Sequence, residues 1–251
     1  MKQGGGNLVE HGSFLRAGKP RPFNDKGVRG MIAATHKIRM PATTLTLSSL
    51  PLFPLGTVLF PGGVLPLRIF EVRYLDMVRK CHTAGAPFGV VALTTGSEVR
   101  QAGAAPETFE AVGTLATILH LDATQPSLLT VQCAGQQRFR ITRRERLVNG
   151  LWIADVQAIA DDTAVAIPPD LLVTAQMLAQ LLPTLRDRGD PAHAGPAPTA
   201  AQLADCGWVA NRWCELLPLP LAHKQQLLEL DNPLIRLELV GDFLAQSGIA
   251  R

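Results

Sequence analysis

Residues 50–70 read LPLFPLGTVLFPGGVLPLRIF. Eighteen uncharged residues precede Arg68, and Pro51, Pro54, Pro61 and Pro66 lie among them with Gly56, Gly62 and Gly63. So apolar a run fits a membrane helix, a cleaved targeting sequence or a buried extended chain. About 20 apolar residues cross a bilayer as a helix. Each interior proline, however, removes a helical hydrogen bond and clashes with the preceding turn, at a cost of about 3 kcal/mol. Four prolines rule the helix out. A secretory signal lies at the extreme N-terminus and ends in a small-residue cleavage pattern, and this run has neither property. It predicts buried, extended chain that stays on the protein.

The flanking sequence extends that reading. From about residue 43 to 160, short apolar runs alternate with turn chemistry, as in a barrel or sandwich of many strands. Strands are expected at 43–52, at 64–70 after the Pro61-Gly62-Gly63 turn, and at 88–93. A long strand over 109–121 has Gly113 as a bulge or a close backbone approach, with loops at 94–108 and 122–126. Two more, 127–133 and 138–142, are joined by Ala134-Gly135-Gln136-Gln137, and 151–158 completes the sheet. Between the second and third strands the period changes. Val72, Leu75, Met77, Val78 and Cys81 fall mostly at helical spacing, with Arg73, Asp76, Arg79 and Lys80 elsewhere, which predicts one short amphipathic helix over 71–82.

After Ile167 the pattern becomes helical. Pro169 opens a strongly apolar helix that Pro183 kinks or ends, and Thr199 caps a second with Leu203, Cys206, Ala210, Trp213 and Leu217 on one face. Pro220 opens a third, and Asn232 with Pro233 starts a last helix closed by Gly248. Short connections predict a compact antiparallel four-helix bundle. Strands first and helices second give an α+β arrangement. The expected division is a basic leader over 1–42, a β domain over 43–165 and the bundle over 166–251.

Charge and composition narrow the function. At 251 residues and 47% hydrophobic content the chain has material for a substantial core. Its formal charge of +3 divides into +6 over residues 1–40 and −3 over the rest. The Gly-rich leader is expected to be poorly ordered, with Met31 and Met40 as alternative starts. A near-neutral body does not carry the basic surface of a nucleic-acid-binding domain. The 4 cysteines fit no disulfide framework and read as buried thiols of a cytoplasmic protein, and the 6 isolated histidines offer no metal site.

The stretch over 50–78, LPLFPLGTVLFPGGVLPLRIFEVRYLDMV, resembles the start of the Lon protease N-terminal domain family: strand, proline-punctuated turn, strand ending in Ile-Phe-Glu, and helix carrying Arg-Tyr. Val112, Gly113, Thr114, Leu115 and Ala116 resemble the family's Val-Gly-Thr-x-Ala strand, and Gly135 with Arg138, Phe139, Arg140 and Ile141 its Gly-x-x-Arg-Phe-x-Ile element. The resemblance covers roughly residues 46–250. It implies a PUA-like β pseudo-barrel with one short helix, then a helical bundle, in a stand-alone bacterial member. It also implies a module that recognises unfolded or tagged polypeptides or other proteins without chemistry, cofactor, metal or membrane, and it leaves the oligomeric state open.

The residues that a complete Lon protease needs are absent from this sequence. No G-x-x-x-x-G-K-[ST] phosphate loop occurs; the Gly18-Lys19 pair is followed by proline. After Leu151 there is one lysine, Lys224, and one serine, Ser247, in different predicted helices, whereas a dyad must meet within hydrogen-bond reach. The catalytic set is therefore empty, and a hydrolase with an unfamiliar site is the least supported reading. A peptide contact is expected around Phe60, Leu65 and Tyr74, positions that also suit a filled core. The alternative is RNA binding through Arg138, Arg140, Arg143, Arg144 and Arg146. Alternation places Arg138, Arg140 and Thr142 on one strand face, and no Tyr or Trp is near them in sequence, so a solvated face is the simpler account. Asp161 and Asp162 read as a solvated linker pair.

Overall fold

The computed structural model describes residues 46–98, 103, 105–125, 127–193 and 196–248. The leader over 1–42 and the expected strand start at residues 43–45 lie outside them. Six strands follow as β1 (Thr46–Leu55), β2 (Val64–Ile69), β3 (Phe88–Thr95), β4 (Thr108–Gln125), β5 (Leu128–Arg146) and β6 (Trp152–Ala158), with helix α1 (Val72–Ala84) between β2 and β3. The sheet order is β2-β5-β4-β3-β1-β6, and β6 pairs back onto β5. Five strands thus close into a ring, the pseudo-barrel, and β2 lies along one edge of β5. All pairings are antiparallel except β1 with β3.

The apolar run over 50–70 touches every core of the molecule. Phe53 and Leu55 of β1 point into a cluster beneath α1 with Leu67, Tyr74, Phe88 and Val131. Leu50 and Leu52 point the other way, toward Val91, Phe139 and Val156. Val58 and Phe60 join the core of the C-terminal helices. A strand covered on both faces needs no polar alternation, which is why the stretch carries no charge. Its prolines sit where the ladder tolerates them. Pro51 lies where β1 pairs with β6 alone, Pro54 where it pairs with β3 alone, and Pro66 on the edge strand β2.

β5 corrects the expectation of two strands joined at Ala134–Gln137: it runs unbroken through these residues. Its first half pairs with β2 and its second half with β6. Gly135 looked like turn chemistry but serves close approach. A Cβ there would stand 2.3 Å from the Phe60 carbonyl, because the 60–63 turn laces onto β5 through Gly62 N–H to Gly135 O and Gly135 N–H to Gly63 O, both 2.8 Å. At Gly113 a Cβ would stand 2.3 Å from the Val90 carbonyl, so this glycine also permits close approach.

The C-terminal segment holds α2 (Leu172–Asp187), α3 (Ala200–Leu203), α4 (Cys206–Leu216), α5 (Leu221–Glu229) and α6 (Pro233–Gln246) among the described residues. Pro183 lies inside α2 and does not end it. The helix expected from Thr199 is two. Thr199 caps α3 in a reciprocal pair with Gln202, and Asp205 then breaks the chain and caps α4 by accepting from the Trp208 amide. Asp205 also accepts from the Val165 amide at 3.1 Å, so the break anchors the linker from the sheet. Asn232 caps α6 as its sequence predicts, accepting from the Leu234 and Ile235 amides.

Candidate functional site: an apolar rim and a polar seam

The helical expectation for α1 is inverted at its first two positions. Val72 is 71% exposed, whereas Arg73 is 6% exposed. Arg73 Nε meets Glu71 Oε2 at 2.7 Å, and its Nη1 meets Glu107 Oε1 at 2.9 Å and donates to the Gly150 carbonyl at 2.8 Å. Gly150 belongs to the β5–β6 turn, which Leu147 closes by donating to the Leu151 carbonyl and Gly150 by donating to Leu147. One buried guanidinium therefore fastens the start of α1, the residue preceding β4 and this turn. Two carboxylates and a carbonyl offset its desolvation. Burial pushes the Glu107 carboxyl up, but its own backbone amide and Arg73 outweigh this and hold it below the usual carboxylate range.

The two fastened segments carry Phe70 and Val72 on one side and Leu147 and Val148 on the other, all exposed, with Val148 at 108%. Burying one such side chain is worth about 1.5–3 kcal/mol, so a partner that covers them gains what folding leaves unused. Four apolar side chains thus stand exposed on the segments that the buried ion cluster joins, and form the rim. Sequence reasoning placed Val72 with the core positions and passed over Val148. The available signal was an apolar pair, Leu147-Val148, in front of the Asn149-Gly150 turn, where polar residues are the rule.

The seam between sheet and helices uses the same device and hides it. Arg138 and Arg236 are 4% and 1% exposed. Arg138 donates to the carbonyls of Leu228 (2.8 Å) and Leu230 (3.0 Å), and Arg236 to those of Leu227 (2.9 Å) and Leu230. These carbonyls lie at the negative end of α5, so both arginines cap that helix. The Asp162 carboxylate bridges the two, 2.5 Å from Arg236 Nη1 and 3.3 Å from Arg138 Nη2. Gln225 donates to the Val112 carbonyl at 3.0 Å, and Arg212 to the carbonyls of Pro61 (2.8 Å) and Gly62, which fixes the 60–63 turn to α4.

The residues singled out from sequence divide accordingly. Phe60, Leu65 and Tyr74 are buried, Tyr74 stacked on Phe53 with ring centres 4.0 Å apart. They supply core rather than contact surface. Arg138 is no solvated residue, because helices that follow 80 residues later cover its strand face. Asp162 is likewise an ion-pair partner, not a free linker residue. Arg140, Arg143 and Arg144 are exposed and Arg146 is half-buried. Trp152, just past the β5–β6 turn, pairs with Arg146 across the ladder, so the arginines do have a tryptophan beside them. Arg144 lies 5.0 Å over the Phe109 ring and 5.9 Å over Trp152, occupying the faces on which a base would stack.

No cluster of three potential metal ligands occurs among the described residues, and none of their helices is long and apolar enough to cross a membrane. Lys224 donates to the Glu215 carbonyl from α5, whereas Ser247 is exposed at the end of α6. Burial pushes the Cys133 and Cys214 thiols up to about 12, which leaves them protonated and unreactive.

Comparison with known proteins accords with this architecture. The profile described as the ATP-dependent protease La (LON) substrate-binding domain matches residues 49–246. A Lon protease of Anaeromyxobacter dehalogenans strain 2CP-C is 26% identical over 201 residues, covering 78% of this chain and 23% of that protein. The chain thus spans about a quarter of its curated relative. The crystal structure of a Lon N-terminal domain protein from Xanthomonas campestris is similar with a TM-score of 0.59 and 32% identity, over 78% of this chain and 99% of that one. The N-terminal domain of a Mycobacterium avium complex Lon protease has a TM-score of 0.50 at 17% identity, over 80% and 98% of the two chains, a likeness of fold. The chain belongs to the ATP-dependent protease La (LON) substrate-binding domain family.

Proposed function

We propose that this protein is a non-catalytic module that holds unfolded polypeptide against its apolar rim. The observation that carries the reading is the exposure of Phe70, Val72, Leu147 and Val148 around the buried Arg73 cluster, in a chain whose family is described by substrate binding. Rigid exposed apolar side chains suit a partner defined by hydrophobicity rather than by one sequence. The non-catalytic part of the proposal is supported by the engagement of Lys224 with the Glu215 carbonyl and by the burial of all four cysteines.

A fluorescein-labelled, reduced and carboxymethylated α-lactalbumin, which cannot fold, tests the reading by anisotropy titration. The protein is expected to bind it, the double variant Val72→Asp with Val148→Asp to bind about tenfold or more weakly, and the label to stay intact on a gel after incubation with ATP. Absence of binding, or equal binding by the variant, overturns the rim as the contact. ATP-dependent cleavage overturns the non-catalytic role.

A further inference from the structure

Beside the seam lies a cleft of about 150 Å³, bordered by the 60–63 turn, the end of α2, residues 196–198 and α4. Val64, Leu182, Pro196 and Trp208 make much of its wall apolar, and Arg186 and Arg212 line it with positive charge. Glu215 lines it too, but its carboxylate is engaged by Arg212 at 3.0 Å. Arg186 differs from the other arginines of the seam. It stands in the last turn of α2, half-buried, with no hydrogen bond or ion pair among the described residues, and its Nε is enclosed without a partner. The Nε of Arg212 is enclosed in the same way. Arg186 thus brings to an apolar wall a positive charge that no group of the described protein answers, and the planar fork of Arg suits a carboxylate in two-point contact.

The space is well below the roughly 300–1,000 Å³ of sites that enclose a whole small ligand. It suits a single residue that presents a carboxylate and an apolar side chain from the same carbon. We infer that this cleft takes the C-terminal residue of a polypeptide, with its α-carboxylate on Arg186 and its apolar side chain against Val64, Leu182 and Trp208. The inference rests on the polypeptide-binding reading and adds to it a second contact, one that recognises a chain end rather than general hydrophobicity.

The test uses an N-terminally fluorescein-labelled Gly-Ser-Gly-Ser-Leu peptide as the free acid, the same peptide as its C-terminal amide, and an amidated peptide with an internal Asp. Anisotropy titration against the full chain is expected to show the free acid binding about tenfold or more tightly than either amide. Arg186→Gln should abolish that preference and Arg186→Lys restore part of it. Arg186 has no bond to lose, so both variants should keep the wild-type melting curve. The Val72→Asp with Val148→Asp variant should retain the preference. Equal binding of acid and amide, a preference that survives Arg186→Gln, or an internal Asp that binds as well as the chain end overturns the inference. If the unfolded lactalbumin still binds through the rim, the rim reading stands without it; if neither probe binds, both fall.

Discussion

The rim and the seam are both built on buried arginines that join segments distant in sequence, yet one ends in water and the other in a core. At the rim, Arg73 holds α1 to the β5–β6 turn and leaves Val72 and Val148 exposed. At the seam, Arg138 and Arg236 hold the sheet to α5, and Phe60, Val112 and Leu228 close over the join. The difference lies in what the polar cluster is attached to. Arg138 and Arg236 satisfy the end of a helix whose apolar face must be covered, so they fix a layer in place. Arg73 satisfies a turn, which has no such face, and the apolar residues around it stay exposed.

The largest expected effect breaks the seam. Arg236→Met leaves Asp162 with Arg138 alone, at 3.3 Å, and removes the donor to the Leu227 carbonyl. Loss of one partner from a buried ion cluster costs about 3–5 kcal/mol. Urea unfolding should report a loss of that size, and a loss below about 1 kcal/mol would contradict the capping role given to Arg236.

A second prediction concerns Glu215, which holds the 60–63 turn from α4. Burial pushes its carboxyl up to about 7 against the opposing pull of Arg212, Lys224 and the Phe60 amide. Between its ordinary value of 4.5 and about 7 the folded protein keeps a proton that the unfolded chain has released. Stability from this group is therefore full below the lower value and declines as pH rises to the upper one. Glu215→Gln should remove that decline, a relative change on the order of 3 kcal/mol between pH 4.5 and 7. Parallel stability curves for variant and wild type over this range would refute it.

The smallest effect sharpens the contrast from the other side. If the rim is surface rather than core, Val72→Asp with Val148→Asp should change unfolding free energy by less than about 0.5 kcal/mol per site, while it weakens polypeptide binding. A loss of several kcal/mol would mean that these valines are structural.

Most of the fold was legible because its signals are local. Proline and glycine marked the 60–63 turn, alternation marked the strands, and Asn232 with Pro233 marked the start of α6. Several failures share one cause, a neighbour supplied from far along the chain. Gly135 read as a turn because the Phe60 carbonyl that requires it lies 75 residues earlier. Arg138 read as solvated because α5 lies 90 residues later. Trp152 was missed beside the arginines for a local reason: the expected strand ended at residue 142, whereas β5 runs on to Arg146 and pairs there with Trp152. Arg73 and Val72 exchanged roles because a helical repeat gives spacing but does not say which face meets the sheet. The candidate site was the least legible part, since both rim and cleft are built from segments that meet only on folding.

The prolines of β1 bear on the time before folding is complete. In the finished ring Leu52 pairs with Gly89 and Leu50 with Ala154, so during synthesis β1 leaves the ribosome long before either partner. For that interval an uncharged strand has bare edges, the condition under which chains add to one another. Pro51 and Pro54 have no N–H to offer a stranger on either edge, and the final pairing does not need those donors. The prolines that punctuate the run thus leave fewer bare donors on β1 while its partners are still unmade, as gatekeeper residues do.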